Sequence, residues 1–354
     1  MAKAGDPITI GTLKLQNRMT MAPTVKFDYA GPDGMATDAH VRHYGERAAG
    51  GIGLICVEAT AVTPGGRFWK NHMGLWEDAQ IEGHRRIVSA CHERDVPVII
   101  QLNHTGITAN PDCGPAMGPS AVTARETGKP AEEMSAAQIR EMQESFLTAA
   151  IRAKAAGYDG IQLHGCHGYL INQFISKKTN LRTDAYGGSV ENRARFAAEI
   201  IRMIREECGE DFLISVRTAG IEPDVETAIA IAEEYVRAGC DYLQVSTGIE
   251  WEDSSVADTE HYNRFCSLGV RFHEHFRGRV PVSCVNGILD PETVQYLIEN
   301  DLTDTVDLAR AVLADPAFPE AVLTGAPFKR CLECRSCQYG PGMPHKCPRQ
   351  MVRQ

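Results

Sequence analysis

Along the whole chain, short apolar runs rich in β-branched residues alternate with longer stretches of amphipathic, helix-forming sequence. The apolar runs read as strands: RMTMAP around Met19, GLICVEA around Leu54, PVIIQL around Val98 and DGIQLH around Ile161. Four more follow: FLISVR around Ile214, DYLQVS around Leu243, VPVSCVNG around Val282 and DTVDLA around Val306. Several intervening helices carry recognisable ends. Ser135 opens a Ser-x-x-Gln capping box before IREMQESFLTAAIRAKAA, and Gly157 closes that helix. Asp290-Pro291 predicts a second helix start with proline in its first turn, and Asp315-Pro316 a third.

Eight strands, each followed by a helix, predict an α/β protein with a closed (β/α)8 barrel. An open, doubly wound sheet fits less well, because no Gly-x-Gly-x-x-Gly follows an early strand. The division expected is a barrel over residues 1–326 and a short cysteine-rich tail over 327–354. Barrels of this kind build their sites where the strands end. Here those positions are Thr24 to Lys26, Glu58 to Thr60, Gln101 to His104, His164 to Tyr169, Arg217, Ser246 to Gly248, Asn286-Gly287 and Ala309-Arg310. This ring is rich in hydrogen-bond donors. At its centre stands HGCHGYLINQF, two histidines, a cysteine and a tyrosine directly after the core run GYDGIQL.

Charge and composition narrow the partners. The net charge of −10 argues against nucleic acid and anionic membrane surfaces, which need clustered positive charge. The N-terminus MAKAGDPITIG lacks an apolar leader, and no run approaches the roughly 18 apolar residues of a membrane span, so a cytoplasmic protein is expected. Twelve cysteines are many for this length. Cys56, Cys91, Cys113, Cys166, Cys208, Cys240, Cys266 and Cys284 are scattered singly and read as small buried hydrophobes. The other four crowd the tail, which in a cytosolic protein points to a metal centre rather than disulfides.

The ring's chemistry divides in two. Gly287 permits close backbone approach and Arg310 precedes a helical stretch, at the strand ends that form the usual phosphate site of these barrels. Gln101, His164, His167, Tyr169 and Arg217 could grip a planar heterocycle and a carbonyl compound. A planar, phosphate-bearing cofactor satisfies both halves, and FMN is the natural candidate. A zinc site at His164-x-x-His167 with Cys166 is the competing reading, but Asp and Glu are missing from this stretch.

The segment GYDGIQLHGCHGYLINQFISKKTNLRTDAYGGSVENRARF resembles the diagnostic stretch of the old yellow enzyme family of FMN-dependent ene-reductases. NRMTMAP, GGIGLICVEATAV, IQLNHTG, ISVRT, VNGI and ARAVLADP occur in the family's order, so the resemblance covers nearly the whole barrel. It implies flavin contacts from Pro23, Thr24, Val25, Ala59, Gln101, His164 and Arg217, and phosphate contacts from Asn286, Gly287, Ala309 and Arg310. It also implies that His164 and His167 donate hydrogen bonds to a substrate carbonyl oxygen. Hydride would then pass from flavin N5 to the β-carbon, and Tyr169 would protonate the α-carbon. Two positions depart from the pattern. Val25 stands where the family commonly has Thr or Cys near flavin O4, and Ala309 replaces a frequent glycine.

In the tail, Cys331-x2-Cys334-x2-Cys337-x9-Cys347-Pro348 places three thiols in one tight loop with a distant Cys-Pro. That spacing suits a [4Fe-4S] cluster better than the paired knuckles of structural zinc, the alternative kept open. It resembles the 2,4-dienoyl-CoA reductase and 2-enoate reductase branch, and also trimethylamine dehydrogenase. Electrons would come from NAD(P)H, or from a redox partner such as ferredoxin or flavodoxin. Such an acidic carrier would dock on Lys329, Arg330, Arg335, Lys346, Arg349 and Arg353, which outnumber Glu333. Substrates expected are α,β-unsaturated carbonyl compounds, with Lys26, Phe27, Tyr29, Trp251, His261 and Tyr262 around them. An amine dehydrogenase of the trimethylamine type and a non-redox, zinc-containing barrel are the alternatives. Self-association is frequent in the family.

Overall fold

All eight apolar runs form strands, and they close on themselves. The computed structural model describes residues 2–123, 128, 130–250, 253–335, 337, 339–340, 343 and 347–351. Its barrel strands are β1 (Met19–Met21), β2 (Leu54–Ala61), β3 (Val98–Asn103), β4 (Gly160–Gly165), β5 (Leu213–Ala219), β6 (Tyr242–Ser246), β7 (Val282–Val285) and β8 (Thr305–Leu308). Each pairs in parallel with the next, and Val306 of β8 beside Met19 of β1 closes the ring. Parallel strands covered by helices are buried on both faces, which is why short apolar runs mark them.

The helix signals act as their chemistry dictates. Ser135 accepts from the Gln138 N–H and the Gln138 side chain returns the bond, while Gly157 ends the helix Ala136–Ala156 at φ 97°. Asp290 accepts from the Thr293 N–H at the head of the helix Pro291–Glu299. Asp315-Pro316 does not start a helix. The next helix is Phe318–Thr324, with Ala317 as its cap. Asp315 instead accepts from the Ala317 and Lys329 N–H groups, pinning the chain where it leaves the barrel.

Two features prepare the upper face. At the bottom, Ile10 and Leu15 of the hairpin Ile8–Ile10/Leu13–Leu15 pack against Leu54, Ile99, Leu213 and Tyr242, the starts of four strands, and plug that mouth. The lumen above is polar. Gln244 of β6 donates to Asp307 of β8 at 2.9 Å, a bond that skips β7 and so crosses the interior, and Gln101 donates to Gln162 at 2.8 Å. Burial pushes the Asp307 carboxyl up to about 7. Seven of the eight scattered cysteines are buried; Cys113 is half-buried. Among the described residues no helix is long and apolar enough to cross a membrane.

Candidate active site

The upper mouth is shaped by a bulge. Between Val57 and Thr60, β2 gains one residue relative to β3, which pairs Ile100 and Leu102 with them. Glu58 then turns towards the helix Asp38–Ala48, accepting from the Tyr44 hydroxyl at 3.4 Å with His40 Nε2 3.3 Å away. Ala59 lines the cavity, and its carbonyl oxygen lies 2.6 Å from His72 Nε2. Burial alone would raise the Glu58 carboxyl, but hydrogen bonding from His40 and the charge of Lys26 bring it below its ordinary value.

A single cavity gathers Pro23, Val25, Ala59, Gln101, Asn103, His164, His167, Tyr169 and Arg217, with Phe68 and His72 completing its wall. His164 ends β4 and stands beside Arg217 of β5. Its Nε2 is 3.0 Å from His167 Nδ1, and His167 Nε2 is 2.8 Å from the Ser246 hydroxyl. Arg217 Nη2 donates to that same hydroxyl at 3.4 Å. Tyr169 caps the helix Leu170–Ile175, its ring edge-on to His164 with centroids 4.8 Å apart and to Phe68 at 6.3 Å.

Burial, then the neighbouring His167 and Arg217, hold His164 well below the ordinary imidazole range. His167 is open to solvent at its outer edge and is also lowered, first by desolvation and then by Arg217. The pair is therefore neutral near pH 7, with one donor and one acceptor on each ring.

Ligand atoms of His164, Cys166 and His167 all lie within 4.8 Å of one another, so the metal reading needs a chemical test. Burial pushes the Cys166 thiol up to about 12, and the Arg217 cation adjoins the pair. A protonated thiol beside a guanidinium suits a cation poorly. A flavin suits the site better. Three atoms on the cavity wall are buried without a hydrogen-bond partner among the described residues: His164 Nδ1, Arg217 Nε and Asn103 Oδ1. Leaving such atoms unpaired costs about 1–3 kcal/mol each, so they fit a group with a polar edge.

The phosphate half is less gathered. Asn286 and Gly287 both adopt positive φ, 84° and 68°, after β7. Gly287 opens onto a second, larger cavity with Asp258, His261, Tyr262 and Asn263, whereas Arg310 is exposed at the start of the helix Arg310–Ala314. Thr24 donates to the Ala22 carbonyl at 3.2 Å and does not line the main cavity, and Ala309 caps the Arg310 helix.

The tail folds back onto the barrel. Cys331, Cys334, Cys337 and Cys347 line one small cavity with Arg310, Leu313, Ala314 and Tyr339. Beneath it lies Lys26, only 1% exposed, its ammonium 4.8 Å above the Tyr339 ring. Desolvation lowers Lys26 to about 7 against the pull of Glu58.

Lys26 therefore faces the tail, not a substrate. Tyr29 packs edge-on to His40 and His43, His261 stacks on Tyr296 at 3.8 Å, and Tyr262 belongs to the second cavity. Phe27 reaches the site indirectly, packing on Phe68. Trp251, Lys346 and Arg353 lie outside the described residues. Arg330 of the basic tail pairs with Asp290 at 3.8 Å. His72 and Phe68, 13 and 9 residues past Ala59, were not predicted as wall residues; nothing in the local pattern marks them.

Residues 5–328 match the NADH:flavin oxidoreductase / NADH oxidase family. Similar solved structures include a 2-naphthoyl-CoA reductase in complex with 2-naphthoyl-CoA, at TM-score 0.87 and 26% identity over 94% of this chain. The match covers 54% of that protein, so this chain spans about half its length. Morphinone reductase in complex with tetrahydroNAD aligns at TM-score 0.79 and 28% identity, over 93% of this chain and 92% of that one. Old Yellow Enzyme from Pichia sp. aligns at 0.76 and 27%, over 92% and 88%.

Proposed function

We propose that this chain, which belongs to the NADH:flavin oxidoreductase / NADH oxidase family, reduces the C=C bond of α,β-unsaturated carbonyl compounds with FMN at the barrel mouth. The observation that carries this reading is the neutral His164–His167 pair, set beside Arg217 and Tyr169 in one cavity with unpartnered buried polar atoms.

When bound, FMN supplies the hydride. The residues do the rest. Ala59, Gln101 and Arg217 hold the ring edge, Arg217 contributing positive charge where reduction adds negative charge. Asn286, Gly287, Ala309 and Arg310 would receive the phosphate, and Pro23 and Val25, which line the cavity, would pack against the ring. His164 and His167 each donate to the carbonyl oxygen and draw electron density away from the double bond as negative charge develops there. Tyr169, on the cavity wall beside His164, delivers its hydroxyl proton to the α-carbon. Phe68 and Pro23 exclude water from that face.

In the tail, Cys331, Cys334, Cys337 and Cys347 would hold a [4Fe-4S] cluster. All four line one cavity, and their sequence spacing, three thiols in one tight loop with a distant Cys-Pro, favours a cluster over the paired knuckles of zinc. One-electron delivery through it, or direct reduction by NAD(P)H, would recharge the flavin. Anaerobic mixing of the FMN-loaded protein with NADH or NADPH, and then with 2-cyclohexenone, tests the proposal. Bleaching followed by recovery of the flavin bands supports it, and no recovery with any enone overturns it.

A further inference from the structure

We infer that Glu222, acting through Asn172, is the positioning residue that holds the His167 turn ready for a substrate carbonyl; this rests on reading His164 and His167 as the carbonyl donors.

The turn does not hold itself. His167 and Gly168 both sit in the left-handed region, at φ 60° and 76°, where residues other than glycine are uncommon. Three loops meet to keep it there. The His167 N–H donates to the Thr247 carbonyl at 3.0 Å. The Gly168 N–H donates to Asn172 Oδ1 at 2.8 Å, and the Ile249 N–H donates to the same oxygen at 3.1 Å. One amide oxygen thus ties the loop after β4 to the loop after β6.

An asparagine amide has nearly the same shape either way round; the two N–H groups call for its oxygen, which leaves its buried NH2 in need of an acceptor on the other side. Asn172 is fully buried and Glu222 is 1% exposed. Asn172 Nδ2 donates to Glu222 Oε2 at 2.7 Å, from the loop after β5. Glu222 Oε2 accepts from that amide nitrogen, and a carboxyl keeps an accepting oxygen whether or not it is protonated, so it supports the orientation that turns the amide oxygen towards Gly168 and Ile249. The Ser176 hydroxyl bonds to the same carboxyl, and Arg193 lends it positive charge. The assembly leaves no room for adjustment: a Cβ on Gly248 would come 3.1 Å from both Asn172 Oδ1 and Glu222 Oε2.

The held turn sets His167 and not His164. His164 belongs to β4 and keeps its place by strand pairing, whereas His167 Nδ1 meets His164 Nε2 only if the turn keeps its shape. Neither Glu222 nor Asn172 lines the cavity. Loss of the tie should therefore weaken binding of carbonyl and phenol ligands and leave bound FMN in place.

The test uses FMN-loaded protein. The affinity of 4-hydroxybenzaldehyde is measured by flavin absorbance, alongside KM and kcat for 2-cyclohexenone. Glu222→Ala should weaken the phenol and raise KM at least tenfold, with FMN content unchanged. Glu222→Gln keeps an oxygen acceptor for Asn172 and should return both to within threefold of wild type. Should Glu222→Ala not fold, Asn172→Ala, which removes the shared oxygen and the amide nitrogen together, should give the same loss. Wild-type affinity in Glu222→Ala (or in Asn172→Ala), or equal damage in Ala and Gln at 222, overturns the inference. A wild-type holoprotein that binds neither probe overturns the carbonyl-donor reading itself, and this inference with it.

Discussion

Nε2 of His164 and Nδ1 of His167 face each other at 3.0 Å across the barrel mouth. Two neutral imidazole nitrogens at that distance share one proton, so one donates and the other accepts. A carbonyl oxygen that enters must part them and take a hydrogen from each. The observed contact is thus the closed form of a two-donor site. Replacing His167 by Ala removes one donor and leaves the Ser246 hydroxyl, its other partner, to Arg217. We expect kcat/KM for enones to fall by about 10²-fold, the scale of one lost oxyanion donor, with FMN retained. Steady-state kinetics and flavin content check this; undiminished turnover contradicts it.

The hydroxyl of Tyr169 is asked to do one thing, protonate carbon. Tyr169→Phe keeps the ring contacts with His164 and Phe68. Stopped-flow reoxidation of the reduced protein by an enone should slow by about 10²–10⁴-fold, while reduction by NAD(P)H keeps its rate. Equal slowing of both half-reactions would assign Tyr169 to binding instead.

The four tail cysteines share a cavity, so removal of one should empty it. Cys334→Ser is predicted to lose iron and the broad visible absorbance of a cluster while the sharper flavin bands remain. Metal analysis that finds one zinc per chain and no iron would contradict the cluster.

Burial also makes the stability depend on pH. His43, His72, His84, His104 and His164 are all buried and all lowered, His84 and His104 to about 4. Between their folded values and the ordinary 6.5, the unfolded chain binds protons that the folded one refuses. Their stabilising share is complete above 6.5 and is lost as pH falls. Glu222 and Asp307, each raised to about 7, oppose this, since they hold protons in the fold that the unfolded chain releases. With His167 lowered as well, the histidines outnumber the two raised carboxyls, and unfolding takes up protons on balance as pH falls below 6.5. The melting temperature should fall from pH 7 to pH 5; a flat or rising profile contradicts the balance.

The sequence carried the barrel well because a strand buried on both faces needs no partner to be recognised. LICV in Leu54–Ala61 and VII in Val98–Asn103 are apolar wherever they pair. The cavity's main residues were legible too, since strand ends must converge in a closed barrel. What stayed hidden depends on contacts distant in sequence. Lys26 reads as a loop residue near substrate, yet Glu58 and Tyr339, 32 and 313 residues away, decide that it turns inward. Asp315-Pro316 has the composition of a helix start, but the departing tail claims the aspartate. The bulge at Glu58-Ala59 is a relation between two strands, and the Asn172–Glu222 bond spans 50 residues. Neither leaves a trace in local periodicity.

The most direct measurement is the anaerobic reaction of reduced, FMN-loaded protein with 2-cyclohexenone, followed at the flavin band and by product analysis. Full recovery of the oxidised band is expected, with one saturated ketone formed per flavin. A protein that retains no flavin, or whose reduced flavin persists unchanged with every enone tried, would contradict it.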